Sequence, residues 1–338
     1  MTSEQVWGQR LLALGCEIQR HLQRVVLQSP DGLALPVAHE GGDTIYAIDR
    51  HVEPVIEREI EAWPADDQPL LLIAEGMGAD GRQTFGRQDE PERYRLIVDP
   101  IDGTRGLMYD KRSAWFLAAV ARSRGEATTL TDAFAAVIVE LPTSKQGWAD
   151  AFLAISGQRA QGFRRRLGSA EERVLVLQSS TATTLRDGFA HVVNFFPGTK
   201  VLAAELLERI VADTLGALRP GAADVFDDQY ISSGGQMVEL ILGHDRFCCD
   251  LRPLFYEILQ RQTGQAVRGL ECHPYDVAGA LVAQQAGVIV TDGWGRPLDC
   301  PLDVHTGVPW CGYANATMRD LVQPVVRNWL TEKGLEAD

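Results

Sequence analysis

The stretch Leu96-Ile97-Val98-Asp99-Pro100-Ile101-Asp102-Gly103-Thr104 decides how the chain is read. Apolar residues deliver the backbone into two carboxylates, a proline, a glycine and a threonine, which describes a strand that stops at a polar site rather than at an ordinary turn. Asp99 precedes a proline and is held extended, so it ends the strand with its side chain projecting outward. Asp102 follows after the chain has turned, and the two carboxylates converge on one point. Gly103 lets backbone N–H groups approach a ligand with no Cβ in the way. Carboxylates beside open amides suit a phosphate together with its divalent cations.

Upstream, Leu11, Leu14, Ile18, Leu22 and Val25 recur at helical spacing and predict an amphipathic helix that ends near Ser29-Pro30-Asp31-Gly32. A second helix is expected after Gly41-Gly42-Asp43-Thr44, with Ile45, Ile48, Val52, Ile56 and Ile60 on one face and Asp49 and Glu53 on it, stopped by Pro64. Leu70 to Ile73 form a strand ending at Ala74-Glu75-Gly76, and Gly78 to Gly86 reads as a hairpin or loop. Downstream, the runs at 114–120, 133–141 and 151–155 look like strands of an antiparallel sheet, with further strands at 174–177 and 191–196. From Lys200 the pattern changes to helices at 201–215, 237–242 and 277–285 and a strand at 288–290. The expected organisation is an α+β half over residues 1–173 and an α/β half over 174–338 that completes the site.

The chain has 338 residues, 45% of them hydrophobic, and a formal net charge of −14. That is ample for a real core and excludes a disordered chain. Arg164-Arg165-Arg166 is the one basic run, most simply a solvated hairpin, so a nucleic-acid polymer is not expected as partner. Bound divalent ions invert the local field, so the acidity does not oppose a phosphate ligand. No apolar segment reaches membrane-spanning length and the amino terminus lacks signal-peptide character, which points to the cytoplasm and to no membrane partner. The cysteines, at 16, 248, 249, 272, 300 and 311, form no CxxC pair and read as buried reduced thiols, with zinc not expected.

These residues carry a resemblance. Asp99-Pro100-Ile101-Asp102-Gly103-Thr104, Glu75 closing the preceding strand, and Tyr275-Asp276-Val277-Ala278-Gly279-Ala280 with Ala286-Gly287 downstream are similar to the inositol monophosphatase family, within the lithium-sensitive, magnesium-dependent sugar-phosphate phosphatases. The resemblance spans roughly Gly41 to Gly295. It implies an α/β layered fold, an alternating α-β-α-β-α sandwich of the inositol monophosphatase and fructose-1,6-bisphosphatase type. It also implies two or three Mg2+ ions held by Glu75, Asp99, the carbonyl of Ile101, Asp102 and Asp276, all oxygen donors suited to magnesium.

The resemblance further implies that water is the nucleophile, oriented and deprotonated by Thr104 with Glu75, while Asp49 holds the Thr104 hydroxyl. Asp102 and the amides of Gly103 and Thr104 would meet the phosphate, joined from the second half by Gly234, Gly235 and Gln236, and Glu271 would grip substrate hydroxyls. The bland readings are that Asp276 is a helix N-cap, that Asp49 is an exposed helical charge, and that Arg105 makes a surface salt bridge. A second acid usual in the family is replaced here by Gly76, and Leu251 to Pro274 forms a longer connection than in simple members. The expected function is hydrolysis of a small phosphorylated polyol, sugar or nucleotide. Myo-inositol 1-phosphate leads, with fructose 1,6-bisphosphate and 3′-phosphoadenosine phosphates as alternatives. A catalytically degraded phosphate-binding protein is the alternative of another class, and a homodimer is what the resemblance suggests.

Overall fold

A computed structural model describes residues 2–28, 32–40, 43–78, 80–87 and 89–337. Ser29, Pro30 and Asp31 at the expected end of the first helix, and Gly41 and Gly42 at the expected start of the second, lie outside the described residues. In chain order the elements are α1 (Ser3–Gln28), β1 (Pro36–Glu40), β2 (Asp43–Tyr46), α2 (Glu53–Glu61), β3 (Leu70–Ala74), β4 (Arg82–Phe85), β5 (Tyr94–Asp102) and α3 (Thr104–Leu107). They continue with β6 (Ala114–Arg122), β7 (Ala133–Leu141), β8 (Trp148–Ile155), β9 (Gln161–Arg166), β10 (Glu172–Leu175), β11 (Gly188–Val192), α4 (Lys200–Leu215), β12 (Val225–Phe226) and α5 (Ser233–Ile241). The last are β13 (Asp245–Asp250), α6 (Arg252–Thr263), α7 (Ala280–Gln285), β14 (Ile289–Thr291), β15 (Trp310–Tyr313) and α8 (Ala316–Glu332).

Two sheets organise these elements. An eight-stranded sheet runs β10-β9-β8-β7-β6-β5-β3-β4, and a five-stranded sheet runs β12-β11-β13-β15-β14. The first sheet is buried on both faces, and the period of two in β6 shows how. Phe116, Ala118 and Val120 pack with α1 residues Leu11, Leu14 and Ile18, while Leu117 and Ala119 point the other way, toward Met237 of α5 and Val282 of α7. That inner layer of α5 and α7 also meets Cys248 and Trp310 of the small sheet. The outer face of the small sheet, with Phe247 and Tyr313, is covered by α4, α6 and α8. The layers therefore alternate α-β-α-β-α, as the resemblance implied. β10 carries the first sheet across residue 173, and the shared inner core draws on both halves of the chain.

Several local expectations change. The helix expected from Ile45 onward is the hairpin of β1 and β2, a 3-10 turn at Asp49–His51 and then α2. Asp49 accepts the Tyr46 N–H on Oδ2 at 2.8 Å, a local bond of the kind that competes with helix propagation. The helix expected at 277–285 is split into a 3-10 turn, Pro274–Val277, and α7. The segment read as a connection, 251–274, contains α6, with Pro253 in its first turn and Gly264 closing it at φ +68°. The Arg164–Arg166 run is the second half of β9 and is neutralised in place by Asp150, Glu172 and Glu171. All six cysteines are buried thiols. No helix among the described residues is long and apolar enough to cross a membrane.

Candidate active site

The first two site residues meet because β3 and β5 run parallel, with Ala74 opposite Val98. Glu75 and Asp99, each the next residue, therefore lie side by side where the pairing of β3 with β5 ends, Asp99 still paired with Leu117 of β6. Asp102 is brought in by a bulge. In an unbroken strand, residues three apart point to opposite faces. Here Asp99 pairs with Leu117 and Asp102 with Trp115, so three steps on β5 oppose two on β6. The extra residue turns both carboxylates to the inner face. Asp99 Oδ1 accepts the Ile101 N–H at 3.0 Å, which stabilises the bulge from within. Gly103 then takes φ +98°, where a Cβ would lie 3.0 Å from the Ile231 carbonyl, and α3 begins at Thr104.

Asp276 arrives from the 3-10 turn after α6 and accepts the His273 N–H at 2.6 Å. It thus serves as a local cap from inside its own turn while facing the other two aspartates. One oxygen from each of Asp99, Asp102 and Asp276 lies within 4.8 Å of the others. Burial and then the neighbouring Asp102, Asp276 and Glu75 charges hold the Asp99 carboxyl well above the usual carboxylate range. Asp276 is raised in the same way, by burial and then by Asp102. Asp102 is raised less, to about 6, because burial is opposed by three hydrogen bonds: from Ser232 Oγ at 2.8 Å, Ser233 N–H at 3.2 Å and Gly234 N–H at 2.6 Å. Buried like charges at this spacing are unfavourable until a cation joins them. An all-oxygen donor set of carboxylates suits magnesium, calcium or manganese, so the residues fit the ion the resemblance implies.

Thr104 Oγ donates to the Ile101 carbonyl at 2.7 Å and lies 3.3 Å from Asp49 Oδ1. The hydroxyl carries one proton, so these two contacts are alternatives. Asp49, on a 3-10 turn rather than on a helix, thus stands at the position from which it reaches Thr104. Glu75, Gly76, Gly103, Thr104, Arg105 and Glu271 also line the cleft. Glu271 is half-buried, and burial raises its carboxyl while the Arg252 charge opposes the shift.

The structure places Gly234, Gly235 and Gln236 elsewhere than the resemblance suggested. They lie buried in the first turn of α5, outside the cleft lining, and their hydrogen bonds go to protein acceptors. Gly234 donates to Asp102, Gly235 to Ser232 Oγ at 2.8 Å, and Gln236 Nε2 to the Tyr230 carbonyl at 2.9 Å. The cleft is met by the preceding residues, Ile231, Ser232 and Ser233. The tight α5 approach to Asp102 requires glycine at 234, where a Cβ would fall 2.5 Å from Leu117 Cδ2 and 2.9 Å from Asp102 Oδ2. Gly234→Ala is therefore expected to destabilise the protein by about 1–3 kcal/mol through overpacking. Urea titration checks this, and an unchanged midpoint would mean that α5 yields without strain.

Sequence reading missed a further part of the cleft lining. Phe195 and Phe196, beyond the end of β11, line the cleft together with Arg252, Tyr46 and Tyr275. Arg252 is 5% exposed and clamped by Asp250, with Nε–H donating at 2.9 and 3.0 Å and Nη2–H at 2.5 Å, while Nη1 donates to the Leu270 carbonyl at 3.0 Å. The Asp250-Leu251-Arg252 sequence, a carboxylate two residues before an arginine at a helix start, was the available signal. Arg105 is on the cleft wall, with its guanidinium 5.7 Å from the Tyr46 ring centre and 5.2 Å from that of Phe196.

Comparison with known proteins proceeds through structure alone, since no family model and no curated protein matches the sequence. The fold superimposes on a fructose-1,6-bisphosphatase from Leishmania major with a TM-score of 0.65 and 15% identity, covering 94% of this chain and 92% of that one. The extragenic suppressor protein suhB from Bartonella henselae gives 0.62 at 18% identity, over 94% and 97% of the two chains. An inositol monophosphatase from Anabaena gives 0.57 at 16%, over 97% of each. Across nearly its whole length, the chain has the layered fold shared by inositol monophosphatase and fructose-1,6-bisphosphatase structures.

Proposed function

We propose that the cleft is the active centre of a magnesium-dependent phosphomonoesterase acting on a small phosphorylated metabolite. The observation that carries this reading is the cluster of buried Asp99 and Asp102 with half-buried Asp276, beside the Thr104–Asp49 contact. Asp99, Asp102, Asp276, Glu75 and the Ile101 carbonyl would hold the ions. When bound, magnesium supplies electrophilic stabilisation of the phosphoryl oxygens and lowers the pKa of water. The protein's own part is to position groups around the phosphorus. Glu75 accepts the proton of the attacking water, Thr104 Oγ orients that water, and Asp49 takes the Thr104 proton when the hydroxyl turns from Ile101. The water oxygen bonds to phosphorus as the bond from phosphorus to the ester oxygen breaks, and the departing alkoxide takes a proton from solvent water, leaving the alcohol and inorganic phosphate. Gly103 and Thr104, at the first turn of α3, offer backbone N–H groups to the phosphate.

The test is phosphate release from a panel of sugar, polyol and nucleoside monophosphates, with magnesium and with chelator. Release that requires magnesium is expected. A protein that binds phosphate esters and turns over none of them would instead be a phosphate-binding protein, the reading that Gly76 in place of a second acid would favour.

A further inference from the structure

The polar half of the cleft accounts for a phosphate and its cations, and the other half is built differently. Phe195 and Phe196 are half-buried, pack edge to face with ring centres 4.9 Å apart at 87°, and belong to none of the three apolar cores. Their neighbours are guanidinium groups. Arg252 lies 5.0 Å from the Phe195 ring centre and 5.5 Å from that of Phe196. Asp250 and the Leu270 carbonyl fix Arg252, so the guanidinium beside these rings is held in place before any ligand arrives. Ile231 and Leu270 continue this wall with apolar surface.

A polyol leaving group would bring hydroxyls to this wall and find no side-chain acceptors on Phe195, Phe196, Ile231 or Leu270, and unpaired buried hydroxyls oppose binding. A planar ring finds what it needs there: aromatic faces and a guanidinium plane, the surfaces on which nucleic-acid bases stack. The cleft lining also includes Glu271, next in sequence to Leu270, whose carbonyl Arg252 holds, so an acceptor for sugar hydroxyls stands in the same cleft.

We propose that the preferred substrate is a nucleoside phosphate, its base seated on Phe195 and Phe196, its ribose toward Glu271 and its phosphate at the aspartate cluster. The proposal rests on the phosphomonoesterase reading and adds the leaving group. The experiment compares kcat and KM, in magnesium, for adenosine 5′- and 3′-phosphates, ribose 5-phosphate, phosphotyrosine, inositol 1-phosphate and glycerol 2-phosphate, in wild type, Phe196→Ala and Phe196→Leu. At least one adenosine phosphate is expected to exceed ribose 5-phosphate in kcat/KM by on the order of 10- to 100-fold, as base stacking on an aromatic side chain supplies. The ratio between the two should collapse in Phe196→Ala, mainly through KM, and fall less in Phe196→Leu. A variant that merely folds poorly lowers both substrates together and leaves the ratio intact, an outcome that overturns the role of Phe196. Turnover of ringless esters with no preference for adenosine phosphates overturns this proposal alone, and phosphotyrosine equal to the adenosine phosphates overturns the nucleoside assignment. Absence of turnover on every ester overturns the phosphomonoesterase reading and this proposal with it.

Discussion

With Asp99 replaced by Asn, magnesium-dependent phosphate release is expected to fall by about 10³-fold, the scale on which removing one electrostatic group aimed at a reacting centre acts. The metal-free protein is expected to become more stable at the same time. Both effects have one source. Asp99 is 7% exposed and faces Asp102 and Asp276, and its only opposing influence among the main ones is the Ile101 N–H. Asparagine keeps the shape and can still accept that N–H through its amide oxygen, but it removes the carboxyl that resists ionisation. Replacing a carboxyl whose charge is opposed by burial and by Asp102, Asp276 and Glu75 relieves that cost, so a higher melting temperature in chelator is expected. Each kcal/mol moves the melting temperature by roughly 2–4 °C in chains somewhat smaller than this one. Colorimetric phosphate release and thermal melting in chelator check the pair. An active variant would remove Asp99 from the proposed chemistry, and a variant that melts lower than wild type would contradict the strained cluster.

The second large effect is on the coupling between magnesium and pH. Asp99, Asp102 and Asp276 are each pushed above the ordinary carboxylate value in the fold, so the folded state keeps their protons to higher pH than the unfolded chain does. The stability linked to the protonated forms is complete below about pH 4, the unfolded carboxylate value. It is lost as pH rises through about 6 for Asp102 and through the raised values of the other two. His21, His191 and His273, all pushed down by burial, contribute the opposite slope below the ordinary histidine value. They are common to wild type and Asp99→Asn, so the difference between the two proteins in chelator isolates the carboxylates. Wild type should lose ground against the variant between pH 5 and 8. Magnesium should restore it, more at pH 8 than at pH 5, where protons compete, and by about 2.7 kcal/mol at a hundredfold excess over its dissociation constant. Melting curves at the two pH values with and without magnesium decide it. Equal stabilisation at both would mean that the ion does not bind at these groups.

What the sequence made legible follows from how local each signal is. α1 was readable because Leu11, Leu14, Ile18 and Leu22 all turn to one sheet face, and β7 because its whole length is buried on both sides. β13 and β15 carry little local signal, since Cys248, Cys249 and Cys311 read as scattered thiols and only pairing makes them strand interior. α8 was hidden by Pro324 inside it, although Asn315 caps its start by accepting the Met318 N–H at 3.0 Å. At the site, Asp99, Asp102 and Thr104 share one short segment and announced themselves. Asp49 was expected to reach Thr104 only through resemblance, and on a helix that does not form there. The glycines at 234 and 235 carried a pattern of small residues, but pattern does not tell whether amides face a ligand or a neighbouring carboxylate. Phe195, Phe196 and Arg252 meet only after β11 and β13 pair, with His191 opposite Cys248, and no local spacing encodes that.

The bulge in β5 has a consequence for inheritance. It lifts the Ile101 backbone out of the regular ladder, so the oxygen that accepts the Thr104 hydroxyl belongs to the main chain and comes with whatever residue occupies position 101. Exchanging Ile101 for another apolar residue of similar size keeps that oxygen, while deleting a single residue between Asp99 and Asp102 removes it with every acidic side chain still present. Part of the site is thus stored in chain length rather than in residue identity. Descendants of this sequence are free to vary the letter at 101 but are bound to keep the count.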